Sequence, residues 1–323
     1  MTGATGFVGS AVARALAARG HALRLLVRAG SNRGNLAGLD AEIVVGDLTD
    51  ACSLARAAAG CRFVAHVAAD YRIWVPDPAA MLRANLDGTV ALLRAASAAE
   101  RIVYCSSVAA LGLTADGTPA DETTKVHREA IIGAYKRSKY LAEQAVRDLA
   151  RQGLPVVIVN PAAPVGPRDH RPTPTGRMIL DAALGRTPAY VETGLNLVHV
   201  DDVGEGHALA LERGRAGEAY ILGGENLSLR AVLGLVAEAA GRAPPCIRLP
   251  IAPLWPVALA METWARLSGA EPRVTRDYLR MARKRMFFSS AKATAELGYA
   301  PRPARAAVAD ALAWFRAAGM LPA

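Results

Sequence analysis

Four cysteines in 323 residues are too few and too scattered to staple a fold. Cys52, Cys61, Cys105 and Cys246 form no CxxC pair and have no histidines at ligand spacing, which argues against a disulfide framework or zinc site and fits a reducing, cytoplasmic compartment. Missing too is any run of about 18 apolar residues, so no membrane span is expected. The longest apolar stretch, IAPLWPVALAM at 251–261, is too short and carries two prolines. There is no basic-then-apolar leader, internal repeat or low-complexity tract, so neither export nor disorder is expected. No nucleic-acid module is recognisable. Acidic residues are the minority, 29 against 38 basic, leaving a formal charge of +9. The arginines are spread along the chain, so an ordinary basic surface is the first reading and an anionic ligand or membrane surface the second.

What is present is an alternation. Short apolar, β-branched runs at 22–28, 42–47, 62–68, 101–107 and 155–160 are separated by alanine-rich amphipathic stretches at 9–19, 52–59, 78–98 and 136–152. Strands that are hydrophobic on both faces, with helices between them, predict an α/β fold: a Rossmann-type doubly wound parallel sheet. The regularity breaks at PAAPVGPRDHRPTPTG (161–176), a proline-rich passage unsuited to a helix or central strand. We therefore expect a dinucleotide-binding domain over 1–165 and a mainly substrate-binding region over 166–323, with 197–222 returning to the first. The second region carries short strands near 197–200 and 218–222 and helices near 228–240, 254–267, 274–285 and 303–318.

The chain opens MTGATGFVGS. Gly3, Gly6 and Gly9 have the spacing of a turn that approaches a pyrophosphate and packs a helix start against a sheet, with free amides and the positive dipole end facing the phosphates. Alone this is weak evidence. Arg28 closes the next strand 19 residues after Gly9, where an acid would hold a ribose diol and a guanidinium instead suits a 2′-phosphate. That favours NADP, with NAD as the alternative; a plain surface arginine is the competing reading. Asp47 either accepts from the adenine amino group or caps the next helix.

Ser107 ends a strand, and Tyr135 and Lys139 follow in YKRSK. Four residues apart on a helix, phenol and ammonium share a face. A free tyrosine is a poor base near neutrality, and each pKa unit of depression needs about 1.36 kcal/mol of differential stabilisation, which the lysine and an oxidised nicotinamide can supply. Ser107 would hold the substrate oxygen. YxxxK alone means little; joined to the glycine turn and to CSS at a strand end it becomes specific.

With these motifs the chain resembles the extended short-chain dehydrogenase/reductases over essentially its whole length. Further matching pieces are GDLTD, HVAADYRIWVPDP, Asn85 in RANLDGT, NPAAPVGPRD, VHVDDV and SSAKATAELGYAPRP. ADYRIWVPDP, PTPTGRMI, YVETGLNLVHVDDV and MARKRMFFSSAKA are most similar to the hopanoid-associated sugar epimerase branch, near the dihydroflavonol reductases. The resemblance implies Ser107, Tyr135 and Lys139 as catalytic residues, with Asn85 supporting a proton relay. It implies cofactor contacts at Gly3, Thr5, Gly6, Phe7, Val8, Gly9, Arg28, Asp47, Leu48, Val67, Ala68, Ala69, Lys139 and Pro161, and no metal.

The reaction implied is hydride transfer at a secondary alcohol or ketone of a sugar-like or polyol substrate, as an epimerase in hopanoid lipid biosynthesis. The alternatives are an NADPH-dependent ketone reductase unrelated to hopanoids, or a dinucleotide-sensing regulator, against which the intact Ser107, Tyr135 and Lys139 argue. The expected partner is a small-molecule substrate, sugar-like or lipid-linked. Homodimerisation and peripheral membrane contact stay open, and nucleic acid is not expected.

The family carries several apolar residues ahead of TGATGFVG, forming a central strand, whereas here Met1 stands where a valine is usual. A start codon set too late, at a GTG in a GC-rich gene, is one expectation. Real truncation is the other, at a cost of several kcal/mol out of a typical total of about 5–15.

Four features remain. Tyr71, Trp74 and the PDP turn either line a pocket or pack a loop. His66, inside an apolar strand, is expected to be a satisfied core residue. His199 and Asp201 fit a motif bridging the two regions. Arg276, Arg280, Arg283 and Lys284 form a basic helix face, either solvated or, with 251–267, reading an anionic substrate group or membrane.

Overall fold

The computed structural model describes residues 1–322 except 73, 76, 128–130, 269–271 and 273, and residue 266 in its backbone only. Two positions of YRIWVPDP, including the first proline of the PDP turn, therefore lie outside the described residues. In chain order the first half runs α1 (Phe7–Ala18), β1 (Leu23–Val27), β2 (Ala41–Val45), α2 (Ala51–Ala58), β3 (Phe63–His66), α3 (Pro78–Leu82), α4 (Gly88–Ala95), β4 (Arg101–Cys105), α5 (Gly133–Arg151) and β5 (Val156–Pro161). The second half adds β6 (Ala163–Val165), α6 (Pro174–Ala183), β7 (Ala189–Tyr190), β8 (Gly194–His199), α7 (Val200–Arg213), β9 (Ala219–Leu222), β10 (Glu225–Ser228), α8 (Leu229–Ala239), β11 (Ile247–Arg248), α9 (Leu254–Ser268), α10 (Arg276–Ala282), β12 (Arg285–Met286), α11 (Ala291–Leu297) and α12 (Ala304–Ala317).

β1 and β2 pair in parallel, and so do β3, β4, β5 and β9 in that order. Successive side chains of a strand leave on opposite faces. Val103, Val157 and Val159 thus join Val12, Leu25 and Leu209 on one face, while Ile102, Tyr104 and Ile158 meet Leu93, Ala142 and Val146 on the other. This is why the strands read as continuous apolar runs. A second sheet has β8 at its centre, flanked by β10 antiparallel and by β6 and β12 parallel, and packs with α6, α8 and α12 around Leu197, Val232, Val308 and Phe315.

Among the described residues, Met1 and Thr2 alone join the main sheet between β1 and β3. Thr2 bridges Leu26 on one side and His66 on the other, both in parallel sense. Its amide donates to Ala65 O at 3.0 Å, Leu26 N donates to Met1 O at 2.9 Å, and the terminal ammonium donates to Arg24 O at 2.6 Å. Burial lowers that ammonium's pKa from 8.0 to about 6. At the amino edge of the strands a cavity of about 440 Å³ is lined by His21, Phe63, Arg101 and Leu211 among others.

The proline-rich passage is more regular than its composition predicts. Pro161 ends β5, Pro164 lies in β6, and Pro174 opens α6, whose N-cap Thr173 accepts from Gly176 N. Proline is well suited to the first helical position, where its missing N–H is not needed. The stretch 78–98 is helical without a break from Pro78 to Ala95, with a π-helical turn over Arg83–Asp87 joining α3 to α4 where Asn85 is buried.

Candidate active site

The amino-terminal turn is built as its glycines predict. Gly3 has φ +78, and a Cβ there would meet Ala68 N at 2.6 Å; one on Gly9 would stand 1.9 Å from Gly3 O. Gly6 N donates to Gly3 O at 2.9 Å, closing the turn, and Gly6 is the N-cap of α1 with no side chain capping its amides. A helix start left uncapped behind an exposed glycine is a cradle for an anion. The residues present therefore fit a dinucleotide's pyrophosphate. Thr5 is anchored from below, since buried Asn35 donates to both Thr5 O and Arg168 O at 3.2 Å. Val8 is half-buried, whereas the Phe7 ring packs against Ala11 and Val200, so only its backbone faces the turn.

Val67, Ala68 and Ala69 follow β3 beside Gly3, and Pro161 is buried at the end of β5. Arg28 is exposed at the end of β1, and its charge lowers the pKa values of both Asp47 and Asp70, though less than their local hydrogen bonds do. Asp47 is not the helix cap: its Oδ1 accepts from Thr49 N and Oγ1 at 2.9 and 2.8 Å, and Asp50 caps α2 through Cys52 N. Leu48 packs on Gly88, where a Cβ would approach its own Cβ to 2.9 Å.

Ser107 and Tyr135 come together, the serine following β4 and the phenol in the first turn of α5; the Ser107 hydroxyl accepts from Ala109 N at 3.1 Å and lies near enough to the phenol to lower its pKa. Burial pushes the phenol up to about 12, opposed by the neighbouring Ser107 hydroxyl. Lys139 does not bond the phenol. Its Nζ donates to Cys105 O at 3.0 Å, and its pKa is lowered by burial, opposed by the charges of Cys105 and Glu143. The ammonium that was expected to acidify the phenol therefore does not offset its desolvation in the chain by itself. Beside Tyr135, burial and the charge of Lys284 lower Lys136 to about 8.

Asn85 does not reach the phenol. Its Nδ2 donates to Asp70 O at 2.8 Å and Ser138 Oγ at 2.9 Å, and its Oδ1 accepts from Asp70 N at 2.7 Å. It is the middle of a buried chain of polar contacts that sequence reasoning missed. Thr2 Oγ1 meets His66 Nδ1 at 2.7 Å, His66 Nε2 meets Thr89 Oγ1 at 2.9 Å, and the Thr89 hydroxyl donates to Asn85 O at 2.6 Å. The Ser138 hydroxyl in turn donates to Tyr135 O at 2.8 Å. Since Thr2 Oγ1 also accepts from Val67 N and Ala68 N, the donor order assigns the His66 proton to Nε2. His66 is thus a neutral core residue, its pKa lowered to about 3 chiefly by burial. Glu143, also missed, sits one turn beyond Lys139: Oε2 accepts from Ser106 Oγ at 2.6 Å and Asn160 Nδ2 at 2.7 Å, and Oε1 pairs with Arg147.

His199 caps α7 through Asp201 N and meets Asp310 of α12 at 3.0 Å, while Asp201 pairs with Arg168, so VHVDDV ties the start of α7 to α12 and to the loop after β6. The basic face is shorter than predicted, because α10 ends at Ala282. Arg276 pairs with Glu262 and Arg280 with Asp277, and with Trp74 these four line a cavity of about 240 Å³. Tyr71 is exposed. Among the described residues no group of acidic, histidine or cysteine side chains could hold a metal ion.

A glycine cradle at a helix start and a serine, tyrosine and lysine at the carboxyl edge of a parallel sheet define a nicotinamide-dependent oxidoreductase of the extended short-chain class. The chain belongs to the NAD dependent epimerase/dehydratase family, whose sequence profile matches residues 1–223. It is 44% identical to a Synechocystis protein provisionally named dihydroflavonol 4-reductase, over 98% of this chain and 94% of that one. It is 36% identical to sterol demethylase protein B of Methylococcus capsulatus, over 99% of each. The crystal structure of gox2253 superposes with a TM-score of 0.90 at 62% identity, over 99% of this chain and 98% of that one.

Proposed function

We propose that this protein is an NADP-dependent reductase that adds hydride to a ketone on a substrate with a large apolar body, and in reverse oxidises the corresponding secondary alcohol. The observation that carries the reading is the half-buried Tyr135, its phenol desolvated beside Ser107 and followed one turn later by Lys139. A phenol held well above neutrality is fully protonated, which suits a proton donor better than a base. Ser107 holds the carbonyl oxygen, Tyr135 gives it a proton as the carbon takes the hydride, and the Lys139 ammonium, fixed by Cys105 O, stabilises the phenolate left behind. When bound, the reduced nicotinamide supplies the hydride. Asn85 and Ser138 hold the backbone at Tyr135 against the loop at Asp70, a positioning role rather than proton transfer.

Arg28 supports NADP over NAD: an exposed guanidinium at the end of β1 is a partner for a 2′-phosphate. The name of the sterol demethylase relative supports a polycyclic lipid substrate, in keeping with a hopanoid-linked sugar or polyol, and four free cysteines fit the cytoplasm. Epimerisation is the second reading, favoured by the family's name; it returns the hydride to the other face of the ketone and consumes no NADPH.

The test is NADPH and NADH binding followed by turnover on steroidal ketones, ketoses and nucleotide sugars, wild type against Tyr135→Phe. Binding in both proteins with turnover lost in the variant is the expected result. Undiminished turnover in Tyr135→Phe would overturn the reading, and stereochemical inversion without net NADPH consumption would select the epimerase.

A further inference from the structure

Helix α9 is built inside out. Its sheltered side carries small residues, Ala258 and Ala265, while Val257, Leu259, Trp264 and Leu267 are 48, 52, 67 and 79% exposed. Of the eight exposed large hydrophobic residues among those described, six fall between Ile247 and Leu267. The outer face presents no charge among its described side chains. Its exposed hydroxyls bond the helix's own backbone: those of Thr263 and Ser268 donate to the carbonyls of Leu259 and Trp264, each at 2.9 Å. Contiguous apolar surface of this kind marks an interaction site.

The flank decides what covers it. At the edge of the face the guanidinium groups of Arg283 and Arg280 lie 5.6 and 6.0 Å from the Trp255 ring centroid, and the whole chain carries +9. An apolar, tryptophan-bearing strip edged with arginine on a cationic protein complements an anionic lipid surface. Fifteen residues of helix span roughly 22 Å, short of the ~30 Å hydrocarbon core, so α9 can lie in an interface and not cross it. A second copy of the chain is the poorer occupant, because a strip of roughly 22 by 10 Å is far below the ~800 Å² per partner of a stable interface.

We propose that α9 is an interfacial docking helix that seats the protein on anionic bilayers. The same edge, at Glu262 two turns beyond Trp255, lines the 240 Å³ cavity with Trp74 and α10, and the Asp277 carboxylate of α10 adjoins Gly133, two residues before Tyr135. A bilayer under α9 therefore lies next to the catalytic helix, and a membrane-borne substrate reaches it without crossing water. That last clause rests on the proposed function; the docking itself does not.

The experiment is co-sedimentation of the full chain with phosphatidylcholine vesicles and with vesicles of phosphatidylcholine mixed with phosphatidylglycerol, comparing wild type, Trp264→Ser/Leu267→Ser and Arg283→Ser. NADPH binding is read on the same samples, so a folding defect or a failed cofactor assignment shows separately. Expected is binding to the mixed vesicles, at least about tenfold weaker in the double variant and weaker in Arg283→Ser, with NADPH binding unchanged. No sedimentation of wild type, equal sedimentation with both vesicle types, or an unaffected double variant would each overturn the proposal. So would lipid-free self-association that the double variant abolishes, since a second copy would then own the face.

Discussion

The amine of Met1 is the first place to perturb. Its side chain is half-exposed, but the ammonium is buried between β1 and β3, which lowers its pKa from 8.0 to about 6. An unfolded chain takes up that proton below pH 8, the folded chain only below about 6, so the unfolded state binds more protons in that window and stability falls as pH drops through it. Two units amount to about 2.7 kcal/mol, fully felt below pH 6 and absent above 8. Fusing five β-branched residues ahead of Met1 turns the ammonium into an amide that still donates to Arg24 O and offers a strand to the unbridged edges of β1 and β3. Urea denaturation of both chains at pH 5.5 and 8.5 separates the two effects. Pairing adds the same stability at either pH, and removal of the charge adds about 2.7 kcal/mol more at the lower one. His66 and His207, with pKa values lowered to about 3 and 4, destabilise both chains alike in acid and cancel. A gain equal at the two pH values to within about 0.5 kcal/mol would refute the reasoning, because the amine would then be solvated.

Gly9→Ala forces its methyl against Gly3 O; denaturation should show a loss of about 1–3 kcal/mol, and fluorescence titration should show no NADPH binding. Glu143→Leu strips Ser106, Asn160 and Arg147 of their acceptor and should cost about 3–5 kcal/mol in urea, whereas Glu143→Gln should cost distinctly less. Arg28→Ala should weaken NADPH about tenfold or more and leave NADH unchanged, as measured by equilibrium titration with each.

Much of the frame was legible because both faces of the main sheet are covered, which obliges each strand to be apolar throughout. The glycine turn was legible because backbone geometry restricts Gly3, Gly6 and Gly9 directly. Local competition blurred the rest. Asp47 and Asp50 are both good caps three residues apart, and only the end of β2 decides that Asp50 serves. Pro174 reads as a breaker until Thr173 is seen to cap it. The buried chain from Thr2 to Ser138 joins residues up to 64 positions apart at a single contact, which no spacing reveals. Glu143 could have been found: it repeats the four-residue step of Tyr135 and Lys139 on the face that carries Ala142 and Val146.

The chain passes back and forth between its two sheets, leaving the main one after β5, rejoining it with α7 and β9, and leaving again at β10. No single cut releases either half, so neither can be exchanged as a cassette by one recombination event. Opening the cleft must bend several backbone crossings in concert, which favours small sliding displacements over a wide swing about one pivot.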